Sequence, residues 1–264
     1  LCNVPINMID GIKRRLNLPN AHVEYIGLNH FTYVTAIEDG GKDYLNEALE
    51  QGVNSEAMKN IPASGFSAEQ IKAIGGIPSS YLEYYYLKDS KLEKLRKAEK
   101  TRAEVCMELE EQLLDLYKDA SLHVKPEQLS KRGGARYSEV AVNLVNAIYN
   151  DLQEVHVVNV LNNGALDFLQ DNDAVEIQAI VGKDGAKPIK ATHVNSDHIK
   201  EYIQAIKAYE RHAVAAAITG SREEAIKAMI MNPLMNDLNT SIACFEEMLE
   251  AHKEYLPQFN KNEK

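Results

Sequence analysis

Tryptophan is absent from this 264-residue chain and cysteine is scarce: Cys2, Cys106 and Cys244 are an odd number at wide, unpatterned intervals. That excludes a disulfide framework and reads as free thiols in a reducing compartment, the cytoplasm. No apolar run approaches the length that spans a bilayer, and no segment has the composition of a secretory leader. Positive charge is in deficit, 29 Lys and Arg against 39 Asp and Glu for a net charge of −10, so nucleic acid and anionic membrane surfaces are repelled. A small anion remains admissible, because a few arginines in a pocket override the global field. No GxGxxG follows a strand: Gly75-Gly76 and Gly133-Gly134 lack that context, so these residues contain no dinucleotide-binding loop. Internal repeats, low-complexity tracts and the dense CxxC and HExxH ligand motifs are missing too. What remains, 45% hydrophobic and 26% charged, is a globular chain long enough for a substantial core.

Leu1 opens into a helical pattern in which Ile6, Ile9, Ile12 and Leu16 share one face. The abrupt start leads us to expect a preceding domain. Apolar stretches at about 22–28 and 31–37 read as strands, the second turning at Asp39-Gly40-Gly41. The polar, glycine-punctuated region 42–76 reads as short helices with loops. Pro78-Ser79-Ser80 marks a helix start. A long charged helix is expected over about 91–119, its apolar face carrying Leu92, Leu95, Val105, Leu109 and Leu113, and another over about 138–150. Segments 155–161, 174–182 and 187–192 read as strands, and 196–256 as helices with a boundary at Pro233. Strands in two clusters among helices indicate an α+β fold, long helices with small antiparallel sheets, in one domain over 1–264.

Four features carry chemistry. Cys2 and His30 are a soft sulfur and an imidazole suited to a borderline divalent metal, with coordination positions left for substrate; equally, Cys2 fits as a small buried hydrophobe and His30 as a satisfied polar group. Tyr81, Tyr84, Tyr85 and Tyr86 crowd the start of a helix, with Tyr81, Tyr84 and Tyr85 on one face by their spacing. At least two should be core, and a phenol acts as a base only if a nearby cation lowers its pKa from about 10. Arg102 is the cation for that task, or a solvated arginine on a charged helix. Lys131-Arg132-Gly133-Gly134 suits a phosphate or carboxylate, or is a turn flanking a helix. Asn162-Asn163-Gly164 is a turn signal first, and the remaining histidines form no ligand-like group.

Five segments in order, Cys2-Asn3-Val4-Pro5, Gly27-Leu28-Asn29-His30, Pro78-Ser79-Ser80-Tyr81-Leu82-Glu83-Tyr84-Tyr85, Arg102-Ala103-Glu104-Val105 and Lys131-Arg132-Gly133-Gly134, resemble the C-terminal part of glycoside hydrolase family 4. These are the NAD- and metal-dependent glycosidases, and the likeness runs on to Tyr255-Leu256-Pro257. The resemblance implies the fold of the C-terminal domain shared with lactate dehydrogenase. It implies Cys2 and His30 as ligands of a divalent metal, usually Mn2+, Tyr81 as catalytic base, and Asn3, Arg102 and Arg132 at the substrate. Asparagine after the cysteine is similar to the 6-phospho-β-glucosidase branch, where aspartate goes with 6-phospho-α-glucosidases. An amide donates no proton in the ordinary way, so the general acid stays unassigned.

The implied reaction departs from the two-carboxylate route, to which the NAD-dependent family is an exception. Oxidation at C3 of the sugar acidifies the C2 proton, the metal stabilises the enediolate, Tyr81 removes the proton, and the aglycone is eliminated. The substrate expected is a phosphorylated disaccharide or aryl glucoside. NAD would sit mainly on an N-terminal domain absent from these residues, leaving the isolated domain inactive, and a homo-oligomer, dimer or tetramer, is expected. The competing readings are a family member acting on an α-galactoside or glucuronide, and a domain serving only oligomerisation through its long helices.

Overall fold

The computed structural model describes residues 2–54, 64–133, 136–235 and 237–259. They form two compact units, Leu1–Ser196 and Asp197–Lys264. The first unit opens with α1 (Val4–Leu16), followed by the hairpin β1 (His22–Leu28) and β2 (Phe31–Asp39), the short β3 (Lys42–Asp43), α2 (Leu45–Glu50) and α3 (Ala68–Ile74). A two-residue strand β4 (Ile77–Pro78) leads through a 3₁₀ turn, Ser80–Leu82, into α4 (Glu83–Tyr86), α5 (Lys88–Lys97), α6 (Arg102–Leu116), α7 (Glu127–Arg132) and α8 (Tyr137–Tyr149). A second antiparallel sheet closes the unit, β5 (Glu154–Leu161), β6 (Ala174–Gly182) and β7 (Gly185–Pro188), in that order.

In the first sheet β2 pairs with β1, β3 and β4. From Val23 to Ile37, outside the turn at Asn29-His30, every residue of β1 and β2 is buried, so the hairpin is covered on both faces. That is why these strands read as continuous apolar runs rather than as alternation. β6 packs on β1 and brings the second sheet against the first. The hairpin turn depends on Gly27: its φ is +141°, and a Cβ there would stand 2.2 Å from the Phe31 carbonyl oxygen and 2.8 Å from Thr32 Cα. Only glycine permits that approach.

The helices start where the sequence supplies partners for their free N–H groups. Pro5 sits in the first turn of α1, where a missing N–H costs nothing, and Lys13, Arg14 and Arg15 face the negative end of its dipole. Thr101 and Glu104 form a reciprocal capping box that starts α6. The expected single helix over 91–119 is therefore two, because this cap and the extended Ala98 interrupt it. Its expected apolar face also fails in α5: Leu92 and Leu95 are 41% and 54% exposed, while Leu109 and Leu113 of α6 are buried. In α1 the buried face is Val4, Pro5, Met8, Gly11 and Ile12, and Ile6, Ile9 and Leu16 lie only at its margin. The strand expected at 187–192 lies at 185–188, set by the β6–β7 hairpin. Leu1, Gly134 and residues 55–63 of the expected 42–76 loop region lie outside the described residues.

The second unit consists of α9 (Asp197–Thr219), α10 (Arg222–Met231) and α11 (Leu238–Ala251), ending in a 3₁₀ turn at Lys253–Tyr255. Ala216, Ala225 and Phe245 form its core with Ile226, Met229, Leu249 and Phe259 against them. Ser221 caps α10 and Asp237 caps α11, on either side of the Pro233 boundary read from sequence. Among the described residues no helix is long and apolar enough to cross a membrane.

Candidate metal and substrate site

Cys2 precedes α1 and is 2% exposed, its Sγ accepting the Val4 N–H at 3.4 Å. Burial, and then the nearby Glu176 carboxylate, push its thiol up to about 11. Asn3, also buried, accepts the Asn7 side-chain amide on its carbonyl at 2.6 Å. His30 occupies the β1–β2 turn with φ 65°, a left-handed conformation uncommon outside glycine and Asn-like residues. Burial holds its imidazole below the usual range, favouring the neutral ring that can ligate a cation.

Ser79 fixes the neighbouring segment to this turn. Its N–H donates to the Thr32 carbonyl at 2.9 Å and its hydroxyl donates to the His30 carbonyl at 2.9 Å. The 3₁₀ turn that follows lays Tyr81 over His30, ring centroids 4.2 Å apart and planes 3° from parallel. The chain passes here from a 3₁₀ turn into α4, and Tyr84 stays near enough to Tyr81 to act on its phenol. Tyr84 points outward beside Lys91, Tyr85 packs edge-on against Phe31, and Tyr86 hydrogen-bonds Tyr33 at 2.8 Å. Two of the four thus serve packing, as read from sequence.

Burial pushes the Tyr81 phenol up, with contributions from Cys2, Tyr137 and Tyr84, while Arg102 pulls it down. Tyr81 therefore lies within electrostatic reach of both the sulfur and the guanidinium, and burial outweighs the arginine. Arg102 begins α6 and donates through Nη2 to the carbonyls of Lys131 (3.0 Å) and Arg132 (2.9 Å). The Arg132 side chain turns instead to Glu110 at 3.3 Å, and Lys131 pairs with Glu127 at 2.8 Å. Tyr81 thus stacks on His30 and lies within electrostatic reach of Cys2 and Arg102, and Arg102 bonds the Arg132 backbone. Asn162 is structural: its side-chain amide donates to the Leu166 carbonyl at 2.9 Å and its carbonyl oxygen accepts the Leu166 N–H at 2.7 Å.

Three contributors escaped the sequence reading. Glu176 on β6 is fully buried beside Cys2. Tyr137, at the start of α8, is raised by burial and then by Cys2 and Glu176. Arg136 ties α8 to α1 through Asp10 at 2.7 Å while also bonding Glu139. The one available signal was an acid inside the apolar run Ala174-Val175-Glu176-Ile177. A cavity of about 320 Å³ borders Cys2 and follows α1 to Lys13, His22 and His156, but His30, Tyr81 and Arg102 lie outside its lining. Among the described residues no three His, Cys, Asp or Glu side chains gather into a metal-holding group.

Residues 25–235 match the Family 4 glycosyl hydrolase C-terminal domain. The chain belongs to glycosyl hydrolase family 4, within the α+β C-terminal part that the motif resemblance indicated. Among its relatives, a probable 6-phospho-beta-glucosidase of Bacillus subtilis is 40% identical and the 6-phospho-beta-glucosidase of Escherichia coli 35%, each over 98% of this chain and 60% of its own length. The 6-phospho-beta glucosidase of Thermotoga maritima, solved with NAD and glucose-6-phosphate, superposes with a TM-score of 0.82 at 31% identity, over 97% of this chain and 60% of that one. A further structure of that enzyme, with manganese, NAD+ and glucose-6-phosphate, also gives 0.82, at 29% identity over the same shares. The chain thus spans about three-fifths of the length of these relatives.

Proposed function

We propose that this chain is the metal- and substrate-binding part of a cytoplasmic, homo-oligomeric 6-phospho-β-glucosidase acting on a phosphorylated disaccharide or aryl glucoside. The observation that carries the reading is the parallel stack of Tyr81 on His30, with Cys2 and Arg102 both in electrostatic reach of the phenol. The donor set fits a divalent cation such as Mn2+: a neutral imidazole, a sulfur that a cation can deprotonate, and a buried carboxylate behind it. The manganese and NAD+ in the Thermotoga maritima enzyme support the same cofactors here.

When bound, NAD supplies reversible hydride transfer at the sugar C3 and the metal supplies Lewis-acid polarisation of the C3 oxygen. The residues of this chain do the rest. Cys2, ahead of α1, and His30, in the β1–β2 turn, would hold the cation. Tyr81 takes the C2 proton on its phenolic oxygen, and the stack on His30 fixes where that oxygen can stand. Because burial raises this phenol, its basicity at neutral pH depends on positive charge, to which Arg102 contributes. Arg102, anchored on the 131–132 carbonyls, orients the anionic substrate, with Asn3 and Arg132 beside it. NAD is assigned to an N-terminal domain of the complete enzyme, so residues 1–264 alone should be inactive.

The test is hydrolysis of a chromogenic 6-phospho-β-glucoside by the complete enzyme, with and without NAD and Mn2+. Cleavage that needs both supports the reading. Cleavage indifferent to either, or confined to an α-galactoside or glucuronide, overturns it.

A further inference from the structure

Glu176 accepts hydrogen bonds from four side chains on three separate segments: the β1–β2 hairpin, β5 and the residue pair ahead of α1. Its Oε1 accepts from Asn29 Nδ2 at 3.0 Å and Asn159 Nδ2 at 3.3 Å. Its Oε2 accepts from the Tyr25 hydroxyl at 3.2 Å, and the Cys2 thiol supplies a fourth donor. All four donors are neutral, and the carboxylate is fully buried. A buried carboxylate is retained at a cost unless its bonds specify something. Two of its partners point to what that is. Cys2 carries the sulfur of the site, and Asn29 is the residue before His30, in a turn whose left-handed backbone needs support.

We propose that Glu176 is a positioning residue: it holds the Cys2 sulfur and, through Asn29, the His30 turn in the one arrangement that accepts a divalent cation. This rests on the metal reading above. Glu176 stands behind the ligands and is not one of them, because both of its oxygens are already engaged by Asn29, Asn159 and Tyr25. It acts as the outer-layer partners of metal ligands do, by fixing the orientation of the groups that touch the ion. The length of the side chain matters more than its charge. Glutamine keeps an oxygen for Asn29 and Asn159, and the Tyr25 hydroxyl and the Cys2 sulfur can each turn from donor to acceptor toward the new amide. Aspartate keeps the charge but withdraws it by one methylene from all four partners.

The experiment uses the 264-residue chain and its Glu176→Gln, Glu176→Asp and Glu176→Leu variants, with Cys2→Ser as the ligand control. Co2+ alone is the probe, read by the sulfur-to-cobalt charge-transfer absorption. Amide hydrogen exchange at Leu28–Phe31 is followed in the metal-free chain, and circular dichroism reports the fold. Expected are at least tenfold weaker Co2+ binding and at least tenfold faster exchange in the turn for Asp and Leu, with Gln within threefold of the parent. Asp and Leu variants within twofold of the parent on both readouts overturn the proposal, and so does a Gln variant that falls as far as Leu. Should the Leu variant fail to fold, the Asp and Gln pair decides by the same criteria. A parent chain without the absorption band counts against the metal reading, and the exchange data then decide the role of Glu176 by themselves.

Discussion

Tyr81 lies flat on His30, 4.2 Å between ring centres and 3° from parallel, and the segment carrying it is anchored on the carbonyl of that same histidine by Ser79. The proposed ligand and the proposed base thus share one mount. Any displacement of the β1–β2 turn moves both together, which preserves their spacing to each other while altering their distance from Cys2.

Tyr81→Phe keeps the ring and its stack but removes the oxygen. In the complete enzyme kcat should fall by about 10²–10⁴-fold, the range for loss of a general base, with KM changed far less. Steady-state kinetics on a 6-phospho-β-glucoside checks this, and an unaltered kcat would assign Tyr81 to packing.

Cys2→Ser and His30→Ala should each abolish Mn2+-dependent turnover in the complete enzyme while thermal unfolding stays cooperative. Activity titrated against Mn2+ is the measurement. Full activity in either variant removes that residue from the ligand set.

Gly27→Ala should destabilise the hairpin, because the new Cβ meets the Phe31 carbonyl at 2.2 Å and φ is +141°. A loss of about 3 kcal/mol, at the upper end for single substitutions, is expected in urea unfolding. A midpoint equal to the parent's would show that the turn can relax around a methyl group.

The metal-free chain should lose stability at both ends of the pH scale. The Cys2 thiol is raised to about 11 from 9.0, so the folded state holds its proton more tightly than the unfolded chain. Its contribution is complete below pH 9 and fades as pH climbs toward 11. Tyr25 and Tyr81 are raised as well and steepen the same alkaline decline. His30 has the opposite sense: lowered by burial, it is protonated more readily when unfolded, so its contribution is complete above 6.5 and fades as pH falls through its folded value. Denaturant midpoints across pH with a chelator present test both limbs, and Cys2→Ser should flatten the alkaline one.

The strands β1 and β2 were legible because burial on both faces leaves largely apolar runs closed by turn residues. The interruption before α6 was also written in the chain, as Thr101 and Glu104 at capping spacing, but the charged residues around it carry a helical pattern straight through. The face of α1 was misjudged for a different reason. Ile6 and Ile9 are apolar enough to be core, yet which side of a helix is covered depends on strands remote in sequence. Cys2, His30 and Tyr81 have no diagnostic spacing and stand out only through their flanking motifs. Glu176 and the Arg136–Asp10 pair exist only as relationships between distant segments, and no local pattern reports them.

The return of the chain at β4 has a consequence for how this scaffold tolerates change. Ile77 and Pro78 pair with Val34 and Tyr33, and Ser79 fastens immediately afterwards, so Tyr81 is located by β2 and not by the path taken since β3. Residues added or removed between α2 and α3 alter the closure of that excursion, whose entropic cost grows with the logarithm of its length, and reach the Tyr81 segment through the contacts of Gly65 with Glu83 and of Phe66 with Tyr86. An excursion that keeps those two contacts can therefore change in length and sequence while the position of Tyr81, the proposed base, is inherited unchanged.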